Sequence, residues 1–166
     1  MVLLCFYGGQ ASTGILLSTL LIICFVLDYL IFEEVHLFTY DLFAERIGFK
    51  LGWGCIVFYP YFYSIFLWAT VDLPDPQTPV WLLAIYVIIF FVGWILARGA
   101  NIQKYFFKIN PKRVFFWIVP EVITDGNKSL LVNGFWGISR HINYLGEILM
   151  ATGIILCTGY PKDRKS

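Results

Sequence analysis

Five polar residues stand together at the mouth of an apolar stretch. They are Arg140, His141, Asn143, Tyr144 and Glu147, within Gly134-Phe-Trp-Gly-Ile-Ser-Arg-His-Ile-Asn-Tyr-Leu-Gly-Glu-Ile-Leu-Met150. If residues 140–147 are helical, Arg140, Asn143, Tyr144 and Glu147 fall at i, i+3, i+4 and i+7 and share one face. A cation, an amide, a phenol and a carboxylate on one face of a membrane helix are costly unless they bind something. Arg140 and His141 at the helix start suit a phosphate or carboxylate, with Tyr144 and Glu147 deeper. The competing reading is an interfacial anchor, with Arg140 and Tyr144 at headgroup level and Glu147 paired within the bundle. Spacing leaves both open.

A second set is Asn101, Lys104 and Lys108, at i, i+3 and i+7 on one helical face. Two ammonium groups and an amide suit a phosphate-rich ligand. They equally suit a solvated helix end that obeys the positive-inside rule. Asp28 closes an apolar segment, with Glu33 and Glu34 just beyond, and is expected to reach interfacial water. Tyr59, Tyr61 and Tyr63 flank Pro60 and read first as packing or belt residues. A buried phenol can donate a proton, but an ordinary pKa of about 10 means that it needs help.

Other chemistries find no support. Cys5, Cys24, Cys55 and Cys157 are scattered through apolar stretches and form no C-x-x-C pair, so they read as small packing residues rather than disulfides or metal ligands. Gly52-Trp-Gly54 lacks a third glycine and enters an apolar stretch, which argues against a Rossmann dinucleotide fold. Any nucleotide must then be bound by helix ends and loops at the membrane face. The formal charge of +1 points to no polyelectrolyte partner, and the lack of a basic face or zinc spacing argues against nucleic acid.

The elements that must position these residues are membrane helices. Hydrophobic residues make up 59% of the 166-residue chain and charged residues 14%, well short of the quarter usual in soluble domains. A spanning helix needs about 20 mostly apolar residues. Four stretches come close: Thr13–Phe32, Leu51–Val71 with a likely kink at Pro60, Val80–Ala97, and Asn143–Tyr160, the least apolar. The expected fold is therefore all-α, a polytopic membrane helix bundle of about four spans forming a single transmembrane domain over residues 1–166. The N-terminus lacks a basic region before its apolar core, which argues against a cleaved signal peptide.

Residues 98–142 form a different kind of segment. The third helix is expected to run on to Lys108 and stop at Asn110-Pro111. Thr124-Asp-Gly-Asn-Lys128, between β-prone runs Trp117–Thr124 and Ser129–Val132, predicts a small hairpin. The loop from Gly99 to His141 holds six of the twelve lysines and arginines and should face the cytoplasm. The acidic turn Asp72-Leu-Pro-Asp-Pro-Gln77 should face away, and Glu33–Lys50 should be cytoplasmic by alternation. The basic tail Pro161-Lys-Asp-Arg-Lys-Ser166 would then lie on the wrong side, the mark of a fragment.

Long motifs carry a resemblance. The stretches Asp28-Tyr-Leu-Ile-Phe-Glu-Glu34, Asp41-Leu-Phe-Ala-Glu-Arg-Ile-Gly-Phe49 and Tyr59-Pro-Tyr-Phe-Tyr-Ser64 are joined by two more specific ones. Arg98-Gly-Ala-Asn-Ile-Gln-Lys-Tyr-Phe-Phe-Lys-Ile-Asn-Pro111 is similar to R-x-A-N-x-Q-K-x-x-F-R-x-N-P. Leu130-Leu-Val-Asn-Gly-Phe-Trp-Gly-Ile-Ser-Arg-His-Ile-Asn-Tyr-Leu-Gly-Glu147 is similar to L-L-V-S-G-[WF]-W-G-x-x-R-H-x-N-Y-x-G-D. From about residue 16 to about residue 159 the chain resembles the sterol reductase family of carbon-14, carbon-7 and carbon-24(28) reductases and the lamin B receptor. The G-A-N-x-Q-K and I-N-P details are closest to the carbon-14 enzymes.

The resemblance implies NADPH-dependent reduction of a sterol carbon–carbon double bond. A proton donor makes a tertiary carbocation, a hydride quenches it, and a membrane cavity excludes water. Carried over by position, Asn101, Lys104, Lys108, Trp136, Arg140, His141, Asn143 and Tyr144 become cofactor candidates, making 98–142 a cofactor-facing segment. Tyr63 becomes the candidate proton donor or relay, with Glu147 as its partner. The sterol would enter from the bilayer, among membrane lipid. Lys108 replaces the usual arginine, losing a bidentate fork but keeping charge. Glu147 replaces aspartate, and Asn133 replaces serine.

Family members run to ten or so helices and carry a C-terminal D-E-x-x-x-x-x-Y-G region. The chain is therefore expected to be a truncated or split member that needs a second chain for its missing helices. The expected location is an integral, multi-pass membrane site, endoplasmic reticulum if eukaryotic and inner membrane if bacterial. Two alternatives stand beside this reading. One is an S-adenosylmethionine-dependent isoprenylcysteine-type methyltransferase, whose R-H-P-x-Y-x-G signature here has Ile142 for its proline. The other is a non-catalytic scaffold or remnant.

Overall fold

The computed structural model describes residues 12–37, 77–126 and 128–159, with single positions at 53, 57, 61 and 65. Helix α1 (Thr13–Ile31) starts where Ser12 caps it, its side chain accepting from the Gly14 amide at 3.2 Å. A short helix α2 (Glu33–Leu37) follows. Helix α3 (Val80–Ile109) is 30 residues long, about 45 Å, and outreaches a hydrocarbon core of about 30 Å. Its first eighteen residues, Val80–Ala97, carry no charge, and the remainder holds Arg98, Lys104 and Lys108. The helix ends at Asn110, whose extended backbone precedes Pro111.

Strands β1 (Val122–Asp125) and β2 (Lys128–Leu131) pair antiparallel, with Asp125 opposite Lys128. The hairpin was expected from Asp125-Gly126-Asn127, and Gly126 indeed has a positive φ of 57°. The first strand, however, begins at Val122 rather than Trp117. The residues before it make a separate tight turn, with Phe115 and Ile118 exchanging both backbone hydrogen bonds at 3.1 and 2.9 Å. A single turn α4 (Phe135–Ile138) and helix α5 (Ile142–Cys157) complete the described chain.

Among the described residues, two helices, α1 and α3, are long and apolar enough to cross a membrane. The ends expected for the first and third helices, Thr13 to Phe32 and Val80 to Lys108, hold to within one residue. The expected fourth span is shorter than anticipated: α5 has 16 residues, about 24 Å, because it yields to Thr158 and Gly159 before Tyr160. Apart from four single positions, the second span expected at 51–71, with its kink at Pro60, lies outside the described residues, as does the turn from Asp72 to Pro76. The four single positions, Trp53, Val57, Tyr61 and Ile65, are all exposed.

Helices α1 and α3 run the same way, and α5 runs against both. A Cβ on Gly146 would lie 2.5 Å from the Gly93 carbonyl oxygen and 2.5 Å from the Ala97 amide, so only glycine permits α3 and α5 to approach this closely. Around this seam lie buried Leu21, Ile22, Phe25, Phe90, Met150 and Ile154. Helix α1 is tied on by Ser18, whose hydroxyl donates to the Ile154 carbonyl at 3.0 Å. The outer faces stay apolar and exposed at Leu30, Ile31, Ile88, Ile95 and Ile148, as lipid-facing helices require.

Candidate functional site

The charged residues of the bundle gather at one end. Arg98, on the turn of α3 that follows the uncharged stretch, is 1% exposed. Its Nε donates to Asp28 Oδ2 of α1, and its Nη1 donates to Glu147 Oε1 of α5 at 3.2 Å. Trp94 Nε1 donates to the other Asp28 oxygen at 3.0 Å, and the guanidinium lies over the Tyr29 ring, 4.6 Å from its centroid. One cation therefore ties three helices together. This corrects the expectation for Asp28: it does not reach interfacial water but is buried, because Arg98 and Trp94 offer in the interior what water would offer outside. Glu147 takes the alternative of pairing within the bundle.

Farther along α3, the helix becomes a platform for the segment after the hairpin. Buried Gln103 donates from Nε2 to the Asn133 carbonyl at 3.0 Å and accepts from the Phe135 amide at 3.1 Å. The chain can fold around this amide because Gly134 takes a positive φ of 65° and a Cβ there would meet the Gln103 side chain at 2.5 Å. Asn133 in turn donates from Nδ2 to the Val119 carbonyl, fastening the preceding loop. Trp136 donates from its indole to the Ala100 carbonyl at 2.9 Å. Thus pinned, its ring lies 5.3 Å from Lys104 Nζ in cation–π contact. Burial first, and the like charge of Lys108 second, lower the Lys104 ammonium from its ordinary pKa.

The sequence-predicted site residues fall into three groups. Lys104 and Trp136 touch, with half-buried Asn101 and exposed Lys108 on the same helix. His141 and Tyr144 stack with centroids 5.4 Å apart and planes within 2°, both side chains exposed. Glu147 belongs with Arg98 and Asp28. Asn143 is half-buried and Arg140 is exposed.

Arg140 is not on the expected helical face. The backbone at Ser139 is extended, His141 is the N-cap, and α5 begins only at Ile142. Arg140 is nonetheless four residues from Trp136, which bounds their Cα separation at about 14 Å. Tyr63 lies outside the described residues. Sequence reasoning missed two residues that organise the site, Arg98 and Gln103. Arg98 was detectable as a cation directly after eighteen uncharged residues, with carboxylates of opposite sign at the ends of two other apolar stretches.

Comparison with known proteins places the chain. Residues 6–162 match the model of the ergosterol biosynthesis ERG4/ERG24 family. The chain belongs to this family. It is 37% identical to the delta(14)-sterol reductase of Arabidopsis thaliana over 155 residues, 91% of this chain and 40% of that relative. It is 37% identical to the delta(14)-sterol reductase of Methylotuvimicrobium alcaliphilum over 133 residues, 76% of this chain and 30% of the relative. The Gallus gallus delta(14)-sterol reductase LBR is 35% identical over 156 residues, 92% of this chain and 24% of the relative. The ERG4/ERG24 chain thus spans less than half the length of these relatives. The methyltransferase alternative loses its ground, since nearly the whole chain lies within the ERG4/ERG24 match.

The residues present fit a dinucleotide in the chemistry of their donors. Lys104, Lys108 and Arg140 are cations suited to phosphate, Asn101 and Asn143 offer amides, and Trp136 offers an aromatic surface. The chemistry of this set distinguishes it from the Arg98 cluster, whose cation is already occupied by carboxylates.

Proposed function

We propose that the chain forms part of an NADPH-dependent reductase of a sterol carbon–carbon double bond, delta(14) by preference, with delta(24) and delta(7) the other positions. The observation that carries this is the cation–aromatic pair of Lys104 and Trp136, held on the projecting end of α3 in a chain whose relatives bear the name delta(14)-sterol reductase. NADPH, when bound, supplies hydride. Lys104, Lys108 and Arg140 bind its pyrophosphate and 2′-phosphate. Trp136 bounds an aromatic moiety, and Asn101, His141, Asn143 and Tyr144 supply polar contacts. Tyr63 donates or relays the proton, with Glu147, oriented by Arg98, as its partner. The sterol arrives from the lipid side, where exposed apolar helix faces exclude water.

The proposal includes four crossings. Its support is direction: α1 ends beside Arg98, while α3 begins eighteen residues, about 27 Å, from that level and runs the same way. A crossing by residues 51–71 returns the chain, and α5 with residues up to 160 makes the last one. The basic segment 98–142 then faces the cytoplasm, in the endoplasmic reticulum of a eukaryote or the inner membrane of a bacterium. A second chain supplying further helices is also part of the proposal.

The test is binding of NADPH, NADH and S-adenosylmethionine to the purified full chain in detergent, with folding checked by circular dichroism. NADPH binding that weakens in Lys104→Ala and Arg140→Ala supports the reading. A folded protein that binds only S-adenosylmethionine, or none of the three, sinks it.

A further inference from the structure

The two-residue turn between Phe115 and Ile118 plays no part in the proposed cofactor site, and its conformation is unusual. Phe116 and Trp117 both have positive φ, 45° and 61°. That region suits glycine or asparagine and is an outlier for bulky side chains. The result is display: Phe116 is 76% exposed and Trp117 93% exposed. The root of the turn is fixed. Phe115 is buried with its ring 5.7 Å from that of Phe106, and the Arg113 guanidinium lies 4.2 Å from the Phe106 centroid. A well-held base thus presents two aromatic side chains in a strained backbone, the pattern expected where strain serves binding.

We propose that this turn is an interfacial anchor, seating Phe116 and Trp117 in the headgroup layer of the membrane that α3 crosses. Three observations select lipid as the occupant. The first is level. Gln103 holds Asn133, Asn133 holds the Val119 carbonyl, and Phe106 holds Phe115, so the turn lies alongside residues 103–106 of α3. The uncharged stretch Val80–Ala97 measures about 27 Å, so a hydrocarbon core of about 30 Å ends near Gly99. Residues 103–106 then stand roughly 6–10 Å beyond it, at the outer edge of a headgroup layer about 5–8 Å deep. The second is residue type: tryptophan concentrates at that layer because its ring is apolar and its N–H is polar. The third is charge. Lys112 and Arg113 precede the turn and are exposed, which complements anionic headgroups.

The experiment uses the full chain in nanodiscs of phosphatidylcholine and phosphatidylserine. The fluorescence of Trp117 is obtained as wild type minus Trp117→Phe, with Trp117→Tyr supplying the same difference if the phenylalanine variant folds poorly. The expected result is loss of most of this signal with lipids brominated near the headgroup, and little loss with acrylamide in the water. A signal quenched by acrylamide as freely as N-acetyltryptophanamide, and indifferent to brominated lipid, overturns the anchor. Protection from both quenchers overturns it too, because protein then covers the tip. Neither readout involves NADPH, so the anchor and the reductase reading fail separately.

Discussion

Arg98 and Lys104 stand six residues apart on α3, about 9 Å along its axis, yet they live under different rules. Arg98 is enclosed by Asp28, Glu147 and Trp94, drawn together from three helices. Lys104 is half-buried and lies over an indole ring. In the low-dielectric bundle a cation must be matched by the protein itself, or it costs several kcal/mol. At the projecting end, water shares the burden, and a cation can be kept for a ligand. The same residue class thus serves architecture at one level and, in the proposed function, recognition at the next.

The contrast breaks most visibly at Arg98. Arg98→Met leaves two carboxylates without their cation and should cost about 3–5 kcal/mol, read as a lower thermal midpoint in detergent. Adding Asp28→Asn and Glu147→Gln to it should recover part of the loss. No recovery would show that the cluster does not stabilise by charge.

Gln103→Leu attacks the platform instead. It removes two hydrogen bonds that hold Asn133 and Phe135 and should cost about 1–3 kcal/mol, with protease sensitivity rising within residues 131–138. Loss of the whole bundle's resistance to protease would mean that the two regions are not separable. Lys104→Ala should leave the midpoint nearly unchanged and weaken NADPH about tenfold, equivalent to about 1.4 kcal/mol. An unaltered affinity would place the cofactor elsewhere. The smallest expected effect is that of salt. Raising ionic strength from 0.1 to 1 M shortens the screening length from about 10 to about 3 Å, so NADPH binding should weaken while the midpoint of the ligand-free protein barely moves. Equal sensitivity of both would erase the distinction between an exposed and a buried charge.

Much of the fold was legible because its signals are local. Ser12 before an apolar run, Asn110-Pro111 after a basic one and Asp125-Gly126-Asn127 between β-prone residues each set a boundary with neighbouring atoms alone. The candidate site was legible in its residue types, and Lys104 with Trp136 was found in contact although no spacing rule links them. Arg140 is misplaced because helical periodicity is carried back across His141, the N-cap, to a residue that precedes the helix. The sequence places Trp117 at the start of a β-prone run, and the structure puts it with Phe116 at the tip of a turn. Their left-handed backbone could not be foreseen from residues that disfavour it.

By itself the sequence determined the ends of α1 and α3, the level at which charge resumes on α3, and the motifs that mark the family. These follow from composition and from contacts a few residues apart. Only the tertiary structure decided that Asp28, Arg98 and Glu147 meet, that Gln103 grips the chain thirty residues later, and that Trp136 lies under Lys104. Each of those depends on how far one helix slides along another before its side chains interlock. Here that register is set by the bare backbone at Gly93 and Gly146, where α3 and α5 touch.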